Sequence, residues 1–321
     1  MGMADTVTKE YIRSNEVFAD AFNYLIYDGE QVVKPALLQE LDTTEIAIPF
    51  ALDEKENPAE DVVQKYRDVL KSAVIMQDAE ASYILLGVEN QTEIHYAMPV
   101  RNIIYDALQY GKQVSEVAKR HKSKGDRKGH NKGEYLSGFY KEDRIRPVIT
   151  LVVHFGADEW DGPLSLYDMM DLKNERLLEY VQDYRIFLID PYKLTNEDLE
   201  KFSSSLGDVL GYIKYSKDKK ALSKFLNDNQ VMIMDNDAAR VIRDVTNTPI
   251  YVPDGKGEID MCKAVRDMID ESKQEGMAAG ELNKAKKMAL KMYKKGDSIE
   301  EIAEMAEVSV DQVKEWINSA V

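Results

Sequence analysis

The stretch YILLGVENQTEIHYAMPVRNIIYDALQY, residues 83–110, changes character twice. Residues 82–89 form a run of apolar, β-branched and aromatic side chains, the composition of a buried strand. Residues 98–118 then take up the spacing of an amphipathic helix. Between the two, the apolar run ends on Glu89, Asn90 and Gln91. Side chains alternate along a strand, so Glu89 and Gln91 share one side of a sheet if the strand extends that far. A second strand-like run, YRDVLKSAVIM at 66–76, comes before it and carries Asp68 near its start. Carboxylates brought together at neighbouring strand ends repel one another unless a cation sits between them. Magnesium, or manganese in its place, suits such a pair because hard ions prefer oxygen ligands. An ion held there would activate water and polarise a phosphoryl oxygen, the two tasks of phosphodiester hydrolysis. Gln91 is no strong base, but its amide can orient a water or a phosphate. On spacing alone, the capping of exposed strand ends is the favoured reading of Asp68, Glu89 and Gln91.

Working outward, residues 7–27 place Ile12, Phe18, Phe22, Leu25 and Ile26 on one helical face, and Asp28 with Gly29 ends that helix. A strand-like EIAIPF lies at 45–50. Further strands are expected at 147–155 (PVITLVVHF) and at 184–190 (YRIFLID), with the turn DEWDGP between them. Helix, strands, helix, strand is the order of an α/β core. Residues 194–245 read as helical and TNTPIYVPDGKGE as a linker. The expected organisation is therefore a core domain at 1–193, a helical extension with linker at 194–257, and a helical module at 258–321. In that last module Ser298 with Glu301, and Ser309 with Gln312, have the spacing of helix N-terminal caps, which outlines a helix-turn-helix shape.

The chain has 321 residues, enough for a full core plus an appendage. Forty-two basic residues against fifty-eight acidic ones give a net charge of -16, which on average disfavours a nucleic-acid partner. With Cys262 as the only cysteine there is no disulfide framework and no cysteine-based zinc cluster. No apolar run reaches the roughly 18 residues of a membrane span, so a soluble cytoplasmic protein is expected.

The segments FADAFNYLIYDGE, YRDVLK, LLGVENQTEIHYAMPVRNIIYDALQY, RPVITLVVHFG and WDGP, together with the helical tail, resemble the Rpn group of recombination-promoting nucleases and transposases in the PD-(D/E)XK nuclease superfamily. The resemblance covers most of the chain. It implies a restriction-endonuclease-like fold and magnesium-dependent cleavage of DNA, expected to be double-stranded, around recombination, mobile elements or defence. By position, Asp68 matches the family aspartate, Glu89 the glutamate, and Gln91 stands where the superfamily commonly has lysine. That replacement removes a cation able to stabilise developing charge. The first helix of the superfamily often adds an acid, for which Asp20, within FADAFN, and Glu16 are candidates. Arg101 and Tyr105, one helical turn apart, match the Arg and Tyr of that pattern and are candidates for contacting phosphate or bracing the carboxylates. A nuclease-fold protein that binds nucleic acid or protein without cutting is the alternative.

Residues 119–133 hold seven Lys or Arg and one acid, a charge of +6. With Gly125, Gly129 and Gly133 they are expected to form a flexible loop whose Lys122, Lys124, Arg127 and Lys128 hold a DNA backbone. Residues 297–321 carry seven acids and one lysine, -6, which opposes base reading by the tail. Its apolar set, Ile299, Ile302, Val308, Val310, Val313, Trp316 and Ile317, instead suits a small helical core or a protein contact, including self-association of the chain.

Overall fold

The structure is a computed structural model that describes residues 2–41, 44–47, 63–66, 68–77, 80–124, 131–171, 175–229 and 231–319. It divides into two compact units, one of residues 1–248 and 252–260, the other of 249–251 and 261–321. Residues 194–257, read from the sequence as an extension and linker, fall mostly within the first unit.

The first unit begins with two helices where the sequence suggested one. Helices α1 (Met3–Arg13) and α2 (Asn15–Tyr27) are separated at Ser14, whose backbone is extended at φ -52 and ψ 136. The cause lies outside the local sequence. Lys71, fully buried on a strand, donates from Nζ to Arg13 O at 2.5 Å and to Asn15 Oδ1 at 2.6 Å, and so holds the two ends of the break. Helix α2 ends as expected, with Asp28 left-handed at φ 52 and Gly29 at φ 94, where a side chain would meet the Lys201 carbonyl.

Next come β1 (Gln39–Glu40), β2 (Thr44–Ala47) and β3 (Val63–Tyr66). Strands β2 and β3 pair with each other, so only part of the expected EIAIPF strand lies in the described residues. Strands β4 (Val69–Gln77) and β5 (Glu80–Gln91) form a long antiparallel hairpin with Val69 opposite Val88 and Leu70 opposite Gly87. Helix α3 (Met98–Lys124) and the short α4 (Lys132–Ser137) lead to β6 (Val148–His154), which runs parallel to β5, and β7 (Phe187–Ile189) runs parallel to β6. The sheet order is β1-β4-β5-β6-β7. A parallel neighbour needs a crossover of a dozen or more residues, and α3 provides it.

Side-chain alternation assigns the two faces of the hairpin. Leu70, Leu85 and Val148 pack under Tyr110 of α3, whose hydroxyl accepts the Val148 N–H at 3.1 Å. Val69, Lys71 and Ala73, with Leu86, Val88 and Asn90, point the other way, towards α1 and α2. Toward the outer edge, Met98, Val152, Trp160 and Ile186 form a second apolar cluster.

The expected helical run at 194–245 contains α5 (Asn196–Leu199), α6 (Leu206–Tyr215), α7 (Lys219–Asn229) and α8 (Asn236–Thr246), and also a strand, β8 (Ile233–Asp235). Strand β8 pairs antiparallel with β9 (Glu258–Asp260), a pairing that local spacing does not announce because each strand has three residues.

In the second unit, α9 (Met261–Lys295) is followed by α10 (Ile299–Met305) and α11 (Val310–Asn318). Ser298 and Glu301 form a reciprocal capping box, and Ser309 accepts the Gln312 N–H. Ala289, Ile302, Ala303, Val313, Trp316 and Ile317 close a small core, with Ile299, Val308 and Val310 packed against it. The tail residues singled out in the sequence thus serve that core.

Candidate functional site

The hairpin register carries Asp68 and Glu89 to one end of the sheet, since Asp68 directly precedes Val69 and Glu89 directly follows its partner Val88. Asp68 is buried, and its Oδ2 accepts the backbone N–H of Asn90 at 2.9 Å. Its other oxygen lies 3.1 Å from Lys9 Nζ on α1. Asn90 is tied to the same helix, donating from Nδ2 to the Thr8 hydroxyl at 2.6 Å. Two consecutive residues of α1 therefore grip the end of the hairpin from one side.

Helix α3 grips it from the other. Glu89 is fully buried, with the half-buried Arg101 guanidinium 2.9 Å from its Oε2. Arg101 also donates from Nε to the Tyr105 hydroxyl at 3.3 Å. Burial works against the charge on Arg101, but Glu89 and Tyr105 more than offset it, so its pKa is raised. Burial, then the neighbouring Glu89, pushes the Tyr105 phenol up as well. Gln91 lies on the same face of β5 as Glu89, as alternation predicts, and donates from Nε2 to Asn90 O at 2.8 Å. Across the parallel ladder its partner is the buried His154.

The structure brings Asp68, Glu89, Gln91, Arg101 and Tyr105 into one neighbourhood and gives Asp20 and Glu16 other partners. Asp20 is buried, but its carboxylate accepts the backbone N–H and hydroxyl groups of Ser203 and Ser204, at 2.6 to 3.1 Å. Glu16 accepts the Ser14 hydroxyl at 2.8 Å; its own backbone N–H, with that hydroxyl, holds its carboxyl below the ordinary value at the start of α2. Lys122 and Lys124 are exposed on the last turn of α3, so residues 119–124 of the expected flexible loop are helix. Arg127 and Lys128 lie outside the described residues.

Lys9 is the residue that the sequence reading missed. Nothing in TVTKEYIR ties a helical lysine to a carboxylate 59 positions further on; only the packing of α1 across the hairpin end does so.

Among the described residues no group of three or more His, Cys, Asp or Glu is arranged to hold a metal. The donors present are two carboxylates and one amide oxygen. That set fits magnesium, which is commonly held by one or two carboxylates while phosphate and water complete its shell. Among the described residues no helix is long and apolar enough to cross a membrane. No curated protein and no solved structure matches the chain. Residues 52–239 match the family model described as "Putative transposase, YhgA-like". That match takes in more than half of the chain, both strands of the hairpin and all of α3, and the chain belongs to this YhgA-like transposase family.

Proposed function

We propose that the protein is a metal-dependent DNA endonuclease of restriction-endonuclease-like fold, working around recombination, mobile elements or defence. The observation that carries this reading is the meeting of Asp68 and Glu89 at one end of the β4–β5 hairpin, both buried and both beside a cation. Buried carboxylates so close together are costly unless positive charge accompanies them. The antiparallel hairpin, crossover helix and parallel fourth strand support the fold assignment, and membership of a transposase family supports DNA as the substrate.

In this reading Asp68 and Glu89 are the ligands of a magnesium or manganese ion, which when bound would activate water and polarise the scissile phosphate. Gln91 orients the water or the phosphate through its amide. Lys9 provides positive charge on the α1 side, where the third motif position offers only a neutral amide, and Arg101 provides it on the α3 side. Tyr105 braces Arg101. The test is incubation of purified protein with plasmid DNA and with linear RNA, with and without magnesium, beside Asp68→Ala and Glu89→Ala. Magnesium-dependent nicking of DNA that both variants lose is the expected result.

The same ion pairs favour a second reading, a nuclease-fold interaction module in which Lys9 and Arg101 permanently neutralise the two carboxylates. Calorimetric titration with magnesium and manganese separates the two, since the module takes up neither ion. In both readings the second unit serves association, for which the exposed Ile269, Met277 and Leu282 on α9 provide apolar surface. The mass in solution with and without residues 261–321 tests this.

A further inference from the structure

The face of α3 that carries Arg101 and Tyr105 continues along the helix through Gln109, Lys112, Glu116 and Arg120, at steps of three and four residues. Beside its second half runs a groove of about 460 Å³, floored by Leu70 and Leu85 of the hairpin and walled by α3 on one side and the segment before β6 on the other. Lys112, Arg120, Arg144 and Arg146 line it, with Glu116 as the acid among them. All four cations are exposed at the surface. Four positive charges against one leave a local charge of +3 in a chain of -16.

The wall is built rather than loose. Gln113 holds Arg146 by both backbone groups, accepting its N–H at 2.7 Å and donating to its carbonyl at 3.1 Å. Two turns further on, His121 Nε2 lies 2.8 Å from Asp143 Oδ2, Asp143 accepts the Tyr140 N–H, and the His121 ring stacks on Tyr140 at 3.8 Å. The Arg144 guanidinium is oriented by the carbonyls of Lys141 and Asp143. Two clamps on α3 thus fix the segment that presents both arginines.

We propose that this groove is a binding site for the phosphodiester backbone of duplex DNA, held by Lys112, Arg120, Arg144 and Arg146. The choice of DNA rests on the nuclease reading of Asp68 and Glu89. From Arg101 to Arg120 the helix advances roughly 28 Å, the length of about eight base pairs, so one stripe of α3 joins the carboxylates to the groove. The held guanidinium of Arg144, and that of Arg146 on the same clamped segment, suit phosphate oxygens, which arginine takes in paired hydrogen bonds.

The experiment is fluorescence anisotropy of a labelled duplex longer than α3, with EDTA present so that cleavage plays no part, across a series of salt concentrations. Four proteins are compared: wild type, Arg144→Ser with Arg146→Ser, Arg144→Lys with Arg146→Lys, and Lys122→Ser with Lys124→Ser. The serine pair should bind at least about tenfold more weakly, with the slope of log affinity against log salt reduced by about 2, while the lysine pair keeps the wild-type slope. Matching thermal melts establish that the exposed substitutions leave the fold intact. An unchanged slope for the serine pair overturns the proposal. So does tighter binding of single-stranded RNA with the same sensitivity to the arginines, or a loss confined to the Lys122 and Lys124 variant. If wild type fails to cut DNA but shows the predicted slopes, the nuclease reading falls and the groove stands; if it cuts with unchanged slopes, the reverse holds.

Discussion

Lys71 and Glu89 are both fully buried charged residues on the same hairpin, and they face opposite ways. Lys71 points to the α1–α2 side, where a backbone carbonyl and the Asn15 amide oxygen receive its ammonium and the Phe18 ring lies 4.8 Å away. Burial lowers its pKa from 10.5 to about 8, against the pull of Glu40 and Glu16. Glu89 points to the α3 side and faces a full opposite charge in Arg101. A lysine held by neutral dipoles is a staple for two helix ends. A buried carboxylate beside an arginine and near a second acid is, in the proposed nuclease reading, a charge kept in place for use.

The sharpest way to break this contrast is to remove each charge while keeping its shape. Glu89→Gln should lower magnesium-dependent plasmid nicking by at least about a hundredfold, the scale seen when metal-site groups are lost. Lys71→Met should leave the rate within a few-fold. Equal losses for the two variants would erase the distinction between staple and site.

The next effect is on stability. Arg101→Ala leaves Glu89 buried without its guanidinium, at a cost of about 3 kcal/mol or somewhat more in urea unfolding. Adding Glu89→Gln to that variant should recover much of the loss, because no uncompensated charge remains. A double variant as unstable as the sum of the singles would mean that the two side chains are not coupled.

A smaller effect comes from pH. Because the folded pKa of Lys71 lies below its unfolded value, the unfolded chain binds more protons between pH 8 and 10.5. The contribution of Lys71 is therefore unfavourable and constant below pH 8, and it is relieved as pH rises through that window. Lys71→Met should remove this rise from a plot of stability against pH, and an identical plot for wild type would refute the assignment. The smallest change is expected at Lys9, whose ion pair is partly exposed. Lys9→Met should alter unfolding by less than about 1 kcal/mol while slowing cleavage severalfold.

What the sequence revealed and what it concealed divide by range. The hairpin strands, α3, the end of α2 at Asp28 and Gly29, and the caps at Ser298 and Ser309 are written in neighbouring residues and could be read there. Period-two alternation was enough to put Glu89 and Gln91 on one face. The break at Ser14 could not be read, since the apolar spacing of 7–27 continues across it and its cause, Lys71, lies 57 residues beyond. Charge and glycine content make the basic run read as a loop, yet lysine and arginine are good helix formers and residues 119–124 extend α3. Arg144 and Arg146 cannot be picked out locally because the clamps that fix their segment, Gln113 on Arg146 and His121 on Asp143, come from α3.

The carboxylate of Asp20 and the serines that fill it are 183 and 184 residues apart, and the Tyr11 hydroxyl meets Ser205 across 194. Closing so long a loop is entropically slow, and contacts of this kind come late in folding. On a ribosome adding about 5 to 20 residues per second, Ser203 emerges roughly ten to forty seconds after Asp20. The β4–β5 hairpin and α3 need only their own neighbourhood and can form in that interval. Only the contacts of α1 and α2 with residues 203–205 must wait that long; Lys9 with Asp68 and Asn90 with Thr8 span 59 and 82 residues, so the candidate site needs little more than the first half of the chain to be completed.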